Sequence, residues 1–300
     1  MSHSHDHAQS QANFGVAFAT GIVLNIGIVV FQVIFGLLAH STALLADAAH
    51  NASDVIGLVL AWTAYLLAKK SPFGTFTYGM RSGTLIASLG NGMLLLFATG
   101  AIAWEALLRF FHPVAVEGGI VLAVAALAIA VNGFSAWLLS GGSKRDINTR
   151  GAYWHLISDA AVSAGVVISA FLMMLTGWLW LDPLTSLLIA AAILWSTWGL
   201  IRESLRLSML AAPETVDVEA VRGYLASVPG VQQVHDLHIW PISTSETALT
   251  AHLVVAPEFD PDTLSDIADH LEHDFHIDHP TIQLEAPDGK PCRLASDTAI

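Results

Sequence analysis

Thr42-Ala43-Leu44-Leu45-Ala46-Asp47-Ala48-Ala49-His50-Asn51-Ala52-Ser53-Asp54 opens an apolar run that continues to Leu67, interrupted by three ionisable side chains, Asp47, His50 and Asp54. A second apolar run, Tyr153 to Thr176, carries His155 and Asp159 at the same His-x-x-x-Asp spacing. Helix positions four apart lie one turn apart on one face, so each run presents an imidazole and a carboxylate in the same direction. Ionisable groups within a bilayer are costly, at least about 2.5 to 3.5 kcal/mol for Asp at a helix centre, and rarely sit there without a partner or a polar pathway. Two such helices facing one another supply two His nitrogens and two Asp oxygens, a tetrahedral set that suits zinc.

The rest of the composition fits a membrane setting. Only 12% of the 300 residues are charged and 54% are hydrophobic, where a soluble chain carries about 25% charged residues. Charge is also divided unevenly. The chain beyond Met209 has 16 Asp and Glu against 3 Lys and Arg, which accounts for the whole net charge of -13, because the first 209 residues carry 9 of each sign. An acidic C-terminal domain argues against nucleic acid or anionic lipid as its partner and is compatible with cations. The one cysteine, Cys292, excludes an intramolecular disulfide and a Cys-based metal cluster within one chain.

Six apolar segments of spanning length, at about 14 to 38, 42 to 67, 83 to 108, 118 to 140, 153 to 176 and 183 to 207, predict six transmembrane helices. They define a membrane domain over residues 14–208. Lys69, Lys70 and Arg81 lie between spans two and three, Lys144, Arg145 and Arg150 between four and five, and Arg202 and Arg206 end span six, whereas the opposite loops hold only Arg109. The excess of Lys and Arg on one side places both termini in the cytoplasm. Residues 1–13 form a tail expected to be disordered, in which His3, His5 and His7 with Asp6 make either a weak metal-collecting arm or a plain polar terminus. Met1 to Ala12 lacks the basic run of a signal peptide, so the first span is expected to remain in the mature chain. Asn25 and Asn132 suit hydrogen bonds between helices, with tuning of the site as the alternative, and Glu105 is expected to reach toward water.

Residues 209–300 change to a globular pattern. Glu214 to Ser227 and Asp262 to Phe275 have helical periodicity, while Val231 to Ile242, Thr247 to Val255 and Thr281 to Glu285 alternate like strands. The order helix, strand, strand, helix, strand predicts a small α+β domain. His270, His273 and His276 fall on its second helix as a solvated polar face.

His50, Asp54, His155 and Asp159 carry a charge of -2 with neutral imidazoles, which balances a divalent cation in low dielectric. Protons compete with metal for the same imidazole nitrogens near pH 6.5, so metal leaving toward a more acidic side can exchange for protons. Asp47, three residues before His50, is suited to orient it or to relay protons.

The run Ser41 to Asp54 resembles the second transmembrane helix of the cation diffusion facilitator family, and Trp154-His155-Leu156-Ile157-Ser158-Asp159 resembles its fifth. Tyr78-Gly79-Met80-Arg81 and Asn91-Gly92 are similar to that family's third-helix entry, and Val234-His235-Asp236-Leu237-His238-Ile239-Trp240 to the first strand of its cytoplasmic domain. The resemblance implies a homodimeric exporter of zinc, coupled to protons, with six helices and a metallochaperone-like cytoplasmic domain in each protomer, in the inner (cell) membrane. It further implies alternating access by rocking of a helix group that contains spans two and five, and a regulatory zinc ion at His235, His252 and Glu285, beside Gln283. Two departures stand out. Lys69 to Thr77 holds no His, Asp or Glu, so the second metal site that some relatives have there is expected to be absent, and Ser82-x-Thr84 replaces their Arg-x-Glu.

Three rival readings share the same residues. Cobalt, nickel or cadmium are accepted by His and carboxylate ligands; a membrane zinc hydrolase needs two His and a carboxylate with an open position; and a metal sensor needs only anchoring from its helices.

Overall fold

The computed structural model describes residues 23–140 and 147–287. Helix α1 (Val23–Leu38) is followed by α2 (Thr42–Ala68), α3 (Gly83–Phe111), α4 (Gly118–Leu139), α5 (Ile147–Thr176) and α6 (Leu181–Ser208). Among the described residues, α2 to α6 are each long and apolar enough to cross a membrane. The expected beginning of the first span, with His3, His5 and His7, lies outside the described residues, as do Lys144, Arg145 and Cys292. Helices α3 and α5 run past their expected ends, to Phe111 and back to Ile147. Hydropathy marks the lipid-facing length of a helix, whereas backbone hydrogen bonding carries it further through polar residues such as Arg109 and Arg150.

Large apolar side chains on these helices point outward: Trp195 is 87% exposed and Phe97 is 78% exposed. Such a surface is covered by lipid in an integral membrane protein. The inside is built from small residues instead. Ala39, Ala43, Ala46, Ala125 and Ala170 pack with Leu44, Val121 and Val166 into one core, because short side chains let helix backbones approach closely in lipid.

The chain forms two compact units. Of the described residues, one unit holds those up to Val59 and those within Asn91–Gly199, and the other holds Leu60–Gly90 and those from Leu200 onward. In the second unit α7 (Val218–Ser227), β1 (Val231–Pro241), β2 (Thr247–Val255), α8 (Thr263–Phe275) and β3 (His279–Glu285) form the expected α+β domain. The sheet order is β1-β2-β3, with β1 antiparallel and β3 parallel to the central β2. Its helix-facing core joins Val221 and Leu225 of α7, Leu249 and Leu253 of β2, and Ile267 and Leu271 of α8.

Two boundaries differ from expectation for local reasons. Helix α7 begins at Val218 because the Asp217 carboxylate accepts hydrogen bonds from Glu219 N and Ala220 N and so caps the helix there. Strand β3 begins at His279, ahead of Pro280, because an edge strand tolerates a residue that lacks an N–H. Between α2 and α3 the chain reverses through Gly79, which adopts a φ of +67°, and a Cβ there would lie 3.0 Å from the Lys70 carbonyl. Only glycine fits that turn.

Candidate metal centre

Helix α2 is held at its first turn by a carboxylate from another helix. Asp182, at the start of α6 and 2% exposed, accepts hydrogen bonds from Ser41 Oγ, Thr42 Oγ1 and Thr42 N, while Ser41 Oγ in turn accepts from Leu44 N. These bonds satisfy N–H groups that a helix start leaves without intrahelical partners. Five residues further on, Asp47 Oδ2 accepts from Gln32 Nε2 of α1 at 2.6 Å and from Ser163 Oγ of α5 at 2.8 Å. Gln32 Oε1 then accepts from Asn51 Nδ2 at 3.3 Å. All four side chains are fully buried. This polar network pins α1, α2 and α5 together beside the two His-x-x-x-Asp faces, and its hydrogen bonds go to Gln32 and Ser163 rather than to His50.

The two motifs meet reciprocally. His50 Nε2 of α2 lies 3.3 Å from Asp159 Oδ1 of α5, and His155 Nε2 of α5 lies 3.3 Å from Asp54 Oδ2 of α2. His155 Nε2 also lies 3.6 Å from Asp159 Oδ2. Four ligands about 2.1 Å from a tetrahedral ion stand about 3.4 Å from one another, so these separations match the edges of such a site. His50, Asp54 and Asp159 each offer a ligand atom within 4.8 Å of the other two, and His155 closes the group through its contacts with both carboxylates. The interior member is Asp159, whose side chain has no exposure, whereas that of His155 is 46% exposed. Neither oxygen of Asp159, nor Asp54 Oδ2, has a hydrogen-bond partner. Buried carboxylate oxygens without donors are costly, and a cation supplies what they lack.

A cavity of about 480 Å³ reaches this group and is lined by both Asp54 and His155. Asn25 and Asn91 also line it, whereas Asn132 does not, and neither side-chain atom of Asn132 has a hydrogen-bond partner. The interhelical bonds expected of Asn132 are therefore not formed among the described residues, and Asn25 Oδ1 is without a partner. Glu105 accepts a hydrogen bond from Arg109 Nε at 2.8 Å.

A second cluster lies on the sheet of the α+β domain. His235 and His252 are cross-strand partners on β1 and β2, and Gln283 and Glu285 follow on β3. His235, His252 and Glu285 offer ligand atoms within 4.8 Å of one another. Glu285 Oε1 lies 2.9 Å from His252 Nδ1, and its Oε2 lies 3.4 Å from His235 Nε2. Both ring nitrogens of the buried His235 have no hydrogen-bond partner, so the donor set fits a metal ion. The bulge between His235 and His238, where Asp236 takes a φ of +49°, turns the Asp236 carboxylate toward the cluster, with Oδ2 3.5 Å from His252 Nε2. Sequence reading missed Asp236, as it missed Gln32, Ser163 and Asp182; only the alternation break in Val234 to Ile239 hinted at a bulge. By contrast, His270 pairs with Asp274 and stacks on Tyr224, and His273 Nδ1 contacts the Asp269 carbonyl.

Ligand atoms carried on apolar spanning helices, reached by a cavity and joined to a small α+β domain, define an integral membrane transporter of metal cations. Residues 19–207 match the family model "Cation efflux transmembrane domain", and residues 213–287 match "Cation efflux protein, cytoplasmic domain". The chain belongs to the cation efflux (cation diffusion facilitator) family and is a transporter rather than an enzyme. It is 35% identical over 290 residues to a cadmium, cobalt and zinc/H(+)-K(+) antiporter of Bacillus velezensis, covering 95% of this chain and 92% of that one. It is 34% identical over 299 residues to the zinc transporter ZitB of Escherichia coli, covering 97% and 94%. A solved structure, the metal-bound C-terminal domain of the CzcD transporter from Cupriavidus metallidurans, is 36% identical, covers 23% of this chain and 99% of that one, and has a TM-score of 0.21.

Proposed function

We propose that the protein exports zinc from the cytoplasm in exchange for protons, by alternating access around His50, Asp54, His155 and Asp159. One observation carries this reading: each imidazole of one helix lies against the carboxylate of the other, at separations that suit a tetrahedral ion. Two carboxylates and two neutral imidazoles balance one divalent cation. When the ion leaves, two protons on the imidazoles restore the same balance, and the His–Asp contacts become ion pairs. An exchange of one ion for protons therefore avoids leaving a net charge in low dielectric. A pathway formed by the 480 Å³ cavity supports ion access at His155 and Asp54. Asp47 holds the helices in register and is proposed as a positioning residue and proton relay.

The reading includes a homodimer in the inner membrane with both termini cytoplasmic; the placement of Lys and Arg in alternate loops supports that orientation. It also includes a regulatory zinc ion held by His235, His252 and Glu285. The name of the Bacillus relative, which includes cadmium and cobalt, favours a second reading in which the same site also carries those ions. Parallel uptake measurements with zinc, cadmium and cobalt distinguish the two.

Zinc-driven proton movement in proteoliposomes under an imposed pH gradient tests the proposal. Coupled flux in the native protein and its loss in His155→Ala is the expected result. Native zinc flux in the variant would defeat it.

A further inference from the structure

The cavity beside Asp54 and His155 carries a second set of oxygen atoms that the four ligands do not use. Asn25 of α1, Ser53 of α2, Asn91 of α3 and Ser135 of α4 line it together with Asp54 and His155. Four helices thus contribute neutral polar groups to one chamber. Asn25 Oδ1 and Asn91 Oδ1 are shielded from solvent and accept no hydrogen bond. A carbonyl oxygen used to join two helices would be bonded across them; these two are left without a donor. The position of Asn91 is also built into the neighbouring helix. A Cβ at Gly57, one turn after Asp54 on α2, would stand 2.9 Å from Asn91 Nδ2 and 3.5 Å from its Oδ1, so the absent side chain provides the space in which the carboxamide rests.

Resting on the transport reading above, we propose that Asn25 and Asn91 form an approach station, where carbonyl oxygens hold a partly hydrated divalent cation before it enters the His50, Asp54, His155 and Asp159 site. Neutral oxygens suit that task. They replace part of the hydration shell yet bind more weakly than carboxylates, so the ion is drawn in and still released onward. A carboxylate in place of either carboxamide would add charge beyond the -2 that already balances the ion, and would retain it. The hydroxyls of Ser53 and Ser135 leave room for the waters that stay with the cation.

The test is the zinc dependence of flux in proteoliposomes for the native protein, Asn25→Leu, Asn91→Leu, Asn91→Asp and Asp159→Ala. Each Leu variant should raise the half-saturating zinc concentration by about tenfold, the size of one modest polar contact, with maximal flux kept within about twofold. Asn91→Asp, which keeps an oxygen and adds charge, should move the other way, lowering the half-saturating concentration and slowing maximal flux. Half-saturation unchanged in all three asparagine variants would overturn the station. So would loss of maximal flux in all three with lowered melting temperatures, which would make the carboxamides structural. Asp159→Ala separates this from the larger reading: native flux there would sink the transport site itself, whereas a silent Asp159→Ala beside native asparagine variants would sink only the station.

Discussion

Asp159 and His155 sit one turn apart on α5, yet their surroundings differ sharply: the carboxylate is fully enclosed and the imidazole faces the cavity. Removing charge from the enclosed group leaves Asp54 as the one carboxylate balancing a divalent cation. Asp159→Asn is therefore expected to weaken zinc binding by at least about 100-fold, and His155→Ala by less, since water from the cavity can replace an exposed ligand. Isothermal titration of purified protein checks the order, and equal losses would contradict it. Asp47 acts differently, by bonding to Gln32 and Ser163. The conservative Ser163→Ala change leaves a buried carboxylate short of one donor, at a cost of about 1 to 3 kcal/mol, which should appear as a lowered melting temperature with zinc affinity retained. The ligands were legible in the sequence because both members of each pair lie on one helix at a spacing of four. Gln32 and Ser163 were not, because their partner comes from other helices and nothing in the spacing records it.

At the scale of elements, the helix that carries half of the ion site depends on Asp182. Three donors from Ser41 and Thr42 converge on that carboxylate, so Asp182→Ala should lower stability by about 3 kcal/mol and fray the first turn of α2. Thermal unfolding in detergent, with a larger drop for Asp182→Ala than for Asp182→Asn, is the check. In α8 the Asp269 carbonyl accepts from His273 and holds its pKa above the ordinary value near 6.5. The proton is then bound more tightly in the folded domain than in the unfolded chain, so the contribution of His273 is fully present below about pH 6.5. It is lost as pH rises through the raised folded value. An NMR titration of the histidines should find the His273 midpoint above 6.5. Helices α2 and α4 were legible to within a residue at each end, since an apolar run and its flanking breaks coincide there. The start of α7 was not, because the Asp217 cap outweighs the periodic residues before it.

Across the whole molecule, the turn between α2 and α3 is tied to the α+β domain within one compact unit. Arg81 Nη1 lies 2.9 Å from Glu246 Oε1 and 3.1 Å from His279 Nε2; because a guanidinium only donates, the His279 nitrogen is the acceptor in that contact. Ser82 Oγ donates to the Ile242 carbonyl, and Thr84 Oγ1 accepts from Thr244 N. The positions that read in the sequence as a departure from Arg-x-Glu thus carry neutral hydrogen bonds, with the ion pair one residue earlier. A half-exposed pair of this kind adds little stability, about 0 to 1 kcal/mol, so its exchange should be read in transport rather than in melting. Arg81→Glu and Glu246→Arg are each expected to slow zinc flux, and the double exchange to restore it; an unrestored double variant would show that the pair is incidental.

The linear pattern alone determined the apolar spans, the acidic C-terminal domain, its order of helices and strands, and the two His-Asp pairs. All of these rest on periodicity and composition within a single segment, and short-range geometry converts such patterns directly into helix faces and strands. Tertiary structure decided which groups meet: the crossing of His50 with Asp159 and of His155 with Asp54, the Asp182 clamp, the Asp47 network and the chamber of Asn25 and Asn91. Those contacts join residues up to 141 positions apart, and their geometry follows from how helices pack, which no local spacing encodes.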